Sequence, residues 1–355
     1  MSGSEFKRFQ LAGLLILAAI ILAGCGPIDD EIAHYVINAP TSSVAYAPVG
    51  PSCMELEKMA QDTLDGALPP PATAKFSADD RGALASAAFS YLCELARDVG
   101  WRQSATKEEW KAAELLIDHF TEFGYRPETQ EFQVRIGPLQ RKSSNIIVEL
   151  PGQGEDVIII SAHYDTVRGS VGANDNASGV SVLLTLAERL AQPPWSNEMV
   201  SNLPFTLRFI AFGSEETGLN GSWHYVAQLA AEELDAIRII INLDVVGSGS
   251  YLLFRGRNNR WVTEHLSKAA EREGVSYMNT TADYNISGRS DEAPFQYRGI
   301  SAVRFFANDT ERANTRNDAI EFINPVLLGD TAVLILDLLA YLKTCKSRPT
   351  LCAPL

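Results

Sequence analysis

A histidine and five carboxylates fall at comparable points in this chain: His163 and Asp165 directly after an apolar run, Asp175 in the loop that follows, Glu215 and Glu216 after a second run, and Asp244 after a third. Alone, each is weak. A His-x-Asp triplet is mostly noise, a Glu-Glu pair is usually a solvated helix start, and an aspartate ending a strand is often a cap. Together, at corresponding ends of neighbouring strands, they would crowd several carboxylates and one imidazole into a small volume. Their mutual repulsion there is prohibitive unless a cation balances it. A mixed imidazole and carboxylate set suits zinc, whereas an all-oxygen shell would suit magnesium or calcium. The implied chemistry is a metal-assisted reaction in which a spare carboxylate moves a proton.

The elements that must position these groups can be read from periodicity. Val157 to Ser161 is a continuous apolar run with the length of a strand buried on both faces, so its polar ending projects at a sheet edge. Further strands are expected at 128–134, 145–150, 206–212, 237–243, 251–254 and 302–306. Helices are expected at 78–98, from Thr106 through Phe123, at 177–190, from Ser222, at 260–273, and from Asn324 and Pro325 to Lys343. Thr106 with Glu109 forms a capping-box signature, and Asn324 with Pro325 a cap and first turn. Strands alternating with helices imply an α/β fold with a mostly parallel sheet covered on both faces. In such sheets ligands bind beyond the carboxyl ends of the strands, where the charged groups sit. Ala177, Ser178 and Gly179 are small enough for a loop to turn closely into its helix. His119, His224 and His265 lie in helical patterns and read as packing or surface residues.

The 355 residues, 46% hydrophobic and 21% charged, suffice for one large core. A formal net charge of -14 and a pI near 4.9 argue against a nucleic-acid partner. Residues 1–25 read as a targeting segment: Lys7 and Arg8, then the apolar stretch Leu11 to Leu22, too short for a comfortable spanning helix. Leu22-Ala23-Gly24-Cys25 resembles the bacterial lipoprotein box, implying lipidation of Cys25. The expected destination is the cell envelope, reached by export and held through the lipid, at the outer membrane if the source has one. Residues 26–75, rich in proline, read as an irregular tether; 76–345 as the folded domain; 346–355 as a tail. Cys53, Cys93, Cys345 and Cys352 are an even set without CxxC spacing, consistent with two disulfides. Three pairings are possible, with Cys53–Cys93 and Cys345–Cys352 favoured.

Four segments carry a further resemblance: HYDTV (His163 to Val167), GANDNASG (Gly172 to Gly179), GSEETGLNGS (Gly213 to Ser222) and NLDVVG (Asn242 to Gly247). In series they resemble the motifs of the co-catalytic zinc aminopeptidases, the family-28 metallopeptidases, over roughly Ala112 to Leu342. The resemblance implies a zinc exopeptidase fold, a mixed sheet between helices, with two zinc ions and peptide substrates. It implies that Asp175 bridges the metals, His163 and Asp244 complete one, Glu216 binds the other, Glu215 is the general base, and Asp165 stands behind His163 to accept its second ring proton.

The chain departs from that pattern where the family's last histidine ligand is expected. Ala313 to Ala319 reads ANTRNDA and places Asn314 there; a carboxamide oxygen is a poor zinc ligand, so the metal held by Glu216 should bind more weakly. Glu292 also stands where many relatives carry histidine; it and Glu311 are candidate substitutes for the missing ligand. The alternative expectations are a single-zinc or glutaminyl-cyclase-like relative, or a non-catalytic binding module.

Overall fold

The computed structural model describes residues 51–193, 200, 202–257, 260–279 and 290–344. Of these, residues 51–134 and those from Gln140 to Thr344 belong to one large unit, and the short segment Arg135–Leu139 to a second. Within the short segment, the Arg135 guanidinium donates to the Gly137 carbonyl at 3.2 Å.

The chain enters through helix α1 (Cys53–Asp65), which the expected irregular tether had not anticipated. The reason is local: Ser52 and Glu55 form a reciprocal capping box, with the Glu55 amide donating to Ser52 Oγ (3.3 Å) and the Ser52 amide to Glu55 Oε2 (2.7 Å). Leu56 and Ala60 of this helix are buried, and Cys53 is disulfide-bonded to Cys93 at the end of α2 (Ala78–Cys93), with Cα atoms 5.8 Å apart. Cys345 and Cys352, like Cys25 and the targeting segment, lie outside the described residues.

Next come α3 (Lys107–Glu122), β1 (Glu128–Ile136), β2 (Leu139–Leu150) and β3 (Asp156–His163). The wide turn Ala173–Ala177 leads into α4 (Ser178–Ala191), then β4 (Phe205–Phe212), α5 (Asn220–Gln228), α6 (Ala231–Ala236) and β5 (Ile237–Leu243). Last are β6 (Leu252–Arg257), α7 (Arg260–Glu273), β7 (Tyr277–Asn279), α8 (Ala293–Tyr297), β8 (Ser301–Ala307) and α9 (Pro325–Thr344). Among the described residues eight strands form one sheet in the order β1-β2-β4-β3-β5-β8-β6-β7. The central pairs β4/β3, β3/β5 and β5/β8 are parallel, and antiparallel β2 and β6 flank them. The sheet is therefore mixed with a parallel centre, sandwiched between helices.

Alternation in β3 decides the layers. Ile158 and Ile160 join the larger apolar cluster with Leu207, Phe209, Ile239 and Ile241, which α2, α3, α4, α7 and α9 cover. Val157 and Ile159 face the other way, into a smaller cluster with Ile210, Phe212, Ile240 and the helix residues Tyr225 and Phe295. A side chain of this size contributes about 1.5–3 kcal/mol when fully buried, and this two-sided burial is why the strand reads as a bare apolar run. α9 is apolar enough to cross a membrane by composition, but 83% of its apolar window is buried inside the protein, so it is a core helix. Asn324 caps it as expected, its side chain accepting from the Val326 amide at 3.1 Å.

The expected box at the start of α3 forms only in part. The Glu109 amide donates to Thr106 Oγ1 at 3.3 Å, but the Glu109 carboxylate turns inward instead of back to Thr106. His119 stacks on Phe123, meets the Tyr91 ring edge-on and bonds Glu94 at 2.9 Å. His224 stacks on Phe132, and His265 on Tyr341 while bonded to Asp337. All three are packing residues.

Candidate metal centre

Register explains why the charged groups meet. His163, the last residue of β3, pairs with Phe212, the last of β4, and Leu243, the last of β5, pairs with Phe305. Asn242 of β5 pairs with Ser161 of β3, so β4, β3 and β5 end within about a residue of one another, and the turns after β4 and β5 supply Glu215, Glu216 and Asp244. After β3 the chain goes to β4 on one side and later to β5 on the other, so the site lies at a switch point of the sheet.

His163 Nε2 stands 3.2 Å from Asp175 Oδ1 and 3.6 Å from Asp244 Oδ1. Two sets of ligand atoms lie mutually within 4.8 Å: one from His163, Glu215 and Asp244, the other from His163, Asp175 and Glu216. His163 belongs to both. Burial alone would depress the imidazole, but the Glu215 charge and contacts with Asp165, Asp175 and Asp244 push its pKa well above the usual value. Burial and neighbouring carboxylates likewise drive Glu215 and Glu216 well above the ordinary carboxylate range, and burial with the Asp244 charge raises Asp175. Asp244 goes the other way: burial opposes its charge, but the Arg304 guanidinium 2.7 Å from Oδ2, with His163, holds it below the usual range. In such a site the carboxylates of Asp165, Asp175, Glu215, Glu216 and Asp244 outnumber the His163 and Arg304 cations. Glu216 Oε1 is buried with no hydrogen-bond partner among the described residues, as expected of an oxygen that a cation would complete.

The supports are polar and buried. Asp165, fully buried, accepts from the Glu215 amide through Oδ1 (2.9 Å) and from the Glu216 amide through Oδ2 (3.2 Å). Its carboxylate is 3.5 Å from His163 Nδ1, whereas its main-chain oxygen is nearer, at 3.2 Å. The two amides draw the carboxylate under the β4 turn, so the main-chain oxygen becomes the closer partner of the ring. Ser214 and Val245, which flank Glu215 and Asp244, both adopt left-handed φ of 56. For β-branched Val245 that is a strained conformation, held by its surroundings.

The loop carrying Asp175 is locked from several directions. Asn176 Nδ2 donates to the Leu243 carbonyl (2.8 Å), and Asn174 Oδ1 accepts from the Gly247 amide (2.8 Å), tying the loop to the exit of β5. A Cβ on Gly179 would lie 2.4 Å from the Leu243 oxygen, so the close approach requires glycine. Arg102, fully buried, donates to the carbonyls of Tyr164 (2.8 Å), Gly100 (2.7 Å) and Val171 (2.8 Å), bracing the segment between His163 and Asp175. Burial pulls its pKa down to about 10, so it keeps its charge at neutral pH.

Asp318 went unnoticed in the sequence. Its carboxylate accepts from the amides of Asn174 (2.7 Å) and Asp175 (2.9 Å), and burial pushes its pKa up to about 6. Four residues earlier in the same loop, Asn314 is exposed with φ 61. Glu292 is buried and accepts from Asn242 Nδ2 at 3.1 Å; Glu311 is exposed. The one cue to Asp318 was its place in the ANTRNDA segment.

A sequence model described as Peptidase family M28 matches residues 145–339. Aminopeptidase YwaD of Bacillus subtilis is 36% identical over 192 residues, covering 51% of this chain and 40% of that protein. A protein described as probable lipoprotein aminopeptidase LpqL, from Mycobacterium tuberculosis, is 32% identical over 180 residues, 47% of this chain and 35% of its own. The chain thus spans less than half the length of these curated relatives. The fold is similar to that of BSAP, a zinc aminopeptidase from Bacillus subtilis, with a TM-score of 0.63 at 21% identity over 72% of this chain and 94% of that one. It is also similar to that of a Porphyromonas gingivalis glutaminyl cyclase, with a TM-score of 0.58 at 18% identity over 72% and 97%.

Proposed function

The chain belongs to peptidase family M28, and from that premise we propose that it is a zinc-dependent aminopeptidase releasing N-terminal residues from peptides. The observation that carries the reading is the pair of ligand sets sharing His163, with the partnerless Glu216 Oε1 beside them. His163, Asp175 and Asp244 would hold one zinc. Glu216 with Asp175 would hold a second, more weakly because Asn314 offers no imidazole. Zinc, when bound, lowers the pKa of water to about 7 and polarises a carbonyl.

The chain's own groups do the rest. Glu215, carried on the turn after β4, takes a proton from the attacking water and passes it to the leaving amine. Asp165 fixes the turn that aims Glu215 and Glu216. Arg304 offsets the charge of Asp244. The protein is exported and anchored through lipidated Cys25, a reading supported by the leader pattern and by the description of the mycobacterial relative.

The test is zinc-dependent release of amine from aminoacyl reporters. Glu215→Gln should lower kcat by roughly 100-fold or more while zinc content stays near that of the wild type. An inactive wild type, folded and zinc-saturated, would remove the proposal.

A further inference from the structure

Three consecutive amides in the turn after β4 are each taken by a buried carboxylate. Those of Glu215 and Glu216 go to Asp165, and that of Ser214 goes to Glu109 Oε1 at 3.1 Å. Glu109 comes from α3, outside the motif series. The same oxygen accepts from Ser143 Oγ at 2.9 Å and Ser214 Oγ at 3.2 Å, and Oε2 accepts from the Ala105 amide at 2.6 Å. Ser104 Oγ closes the ring through Ser214 Oγ, and it lies 3.2 Å from Thr217 Oγ1 on the far side of the turn.

We propose that Glu109 is a positioning residue for this centre. Through the Ser214 amide and hydroxyl its carboxyl holds the left-handed residue that sets the direction of Glu215 and Glu216. Ser214 has φ 56, a conformation a serine keeps only when its surroundings favour it, and the bonds to Glu109 provide that preference. A reversed Ser214 would swing the two glutamates that follow away from His163.

Such an acid is not placed cheaply. Burial first, then the Asp165 charge, push Glu109 up to about 8, so a residue serving only to pack the interior would be better apolar. Thr106 already caps α3 with its hydroxyl, so the carboxyl is not needed for the helix start. What it serves is the turn, 105 residues further along.

The inference rests on the proposed metal-dependent function, and the experiment separates the two. Above about pH 8, where Glu109 is ionised and both its oxygens accept, Glu109→Gln keeps the shape but offers one acceptor oxygen and turns an amide nitrogen toward either the Ser214 or the Ala105 N–H, so the comparison is made at pH 9. With folding verified by near-UV circular dichroism, zinc affinity is read by chelator competition, alongside kcat and KM on an aminoacyl reporter. We expect zinc affinity weaker by roughly 10- to 100-fold, kcat lower by a similar factor, and KM changed by less than about threefold. Glu114→Gln, exposed on the same helix, should match the wild type.

Wild-type zinc affinity and kcat in folded Glu109→Gln would overturn the proposal, as would a proportional rise in KM alone. If Glu109→Gln fails to fold, Ser104→Ala, which removes one hydroxyl from the ring, should still weaken zinc by roughly two- to tenfold, and no change there would overturn it. If the wild type binds zinc but hydrolyses nothing, the aminopeptidase reading fails while the affinity comparison still decides the role of Glu109.

Discussion

Asp165→Asn removes one oxygen from a carboxylate that serves two amides. In the wild type Oδ1 takes the Glu215 N–H at 2.9 Å and Oδ2 the Glu216 N–H at 3.2 Å, within a fully buried side chain. Asparagine can serve one of them; its amide nitrogen then faces the other N–H as donor against donor within a fully buried setting. A hydrogen bond to an ionised group is worth about 1.5–3 kcal/mol, which converts to roughly 10- to 150-fold in whatever equilibrium depends on the turn. On the proposed assignment that equilibrium is zinc binding through Glu216, and kcat should fall with it because Glu215 sits on the same turn. Chelator competition on metal-stripped protein reads the first, and steady-state hydrolysis of an aminoacyl reporter the second. An asparagine variant that binds zinc and turns over like the wild type would refute the reasoning, since it would mean the amides aim nothing.

Two expectations concern stability. Replacing Cys53 and Cys93 by alanine opens a loop of sequence separation 40, and chain entropy alone puts the loss at about 4 kcal/mol; urea unfolding should find most of it, and a loss under about 1 kcal/mol would contradict the entropic account. Asp330, buried and near Glu273, has its pKa pushed up to about 7 from an ordinary 3.8 despite Arg81. Its folded-state pKa is raised, so the unfolded chain releases the proton first, and stability contributed below about pH 4 is lost as pH rises toward 7. Asp330→Asn should therefore gain on the wild type by roughly 2–4 kcal/mol between pH 4 and pH 8, measured as the difference in unfolding free energy; a difference that does not change with pH would show the shift to be absent.

The central strands were legible because burial on both faces writes an unbroken apolar run, and their polar ends were legible because no other pattern puts His163, Glu215, Glu216 and Asp244 directly after such runs. Helix α1 was hidden by prolines on either side, although Ser52 and Glu55 spelled its start. Glu109 was hidden in a different way: Thr-x-x-Glu is a local signature, and nothing local says that the carboxylate will bond a turn that arrives 105 residues later. Arg102 and Asp318 share that difficulty, since their partners are main-chain amides and carbonyls, which every sequence contains. The family motifs named the groups that cluster at the strand ends, while the groups behind them, which have no fixed spacing to those motifs, emerged only from the folded chain.

The most direct test is a zinc titration of metal-stripped protein, wild type against His163→Ala, because His163 is common to both sets of ligand atoms. The wild type should take up one zinc tightly and a second more weakly, with amino-acid release rising as zinc binds, and the alanine variant should lose the tightly bound zinc and, with it, the release. Folded wild-type protein that takes up no zinc, or a His163→Ala variant that binds it as well as the wild type, would contradict the assignment of this cluster as the metal centre.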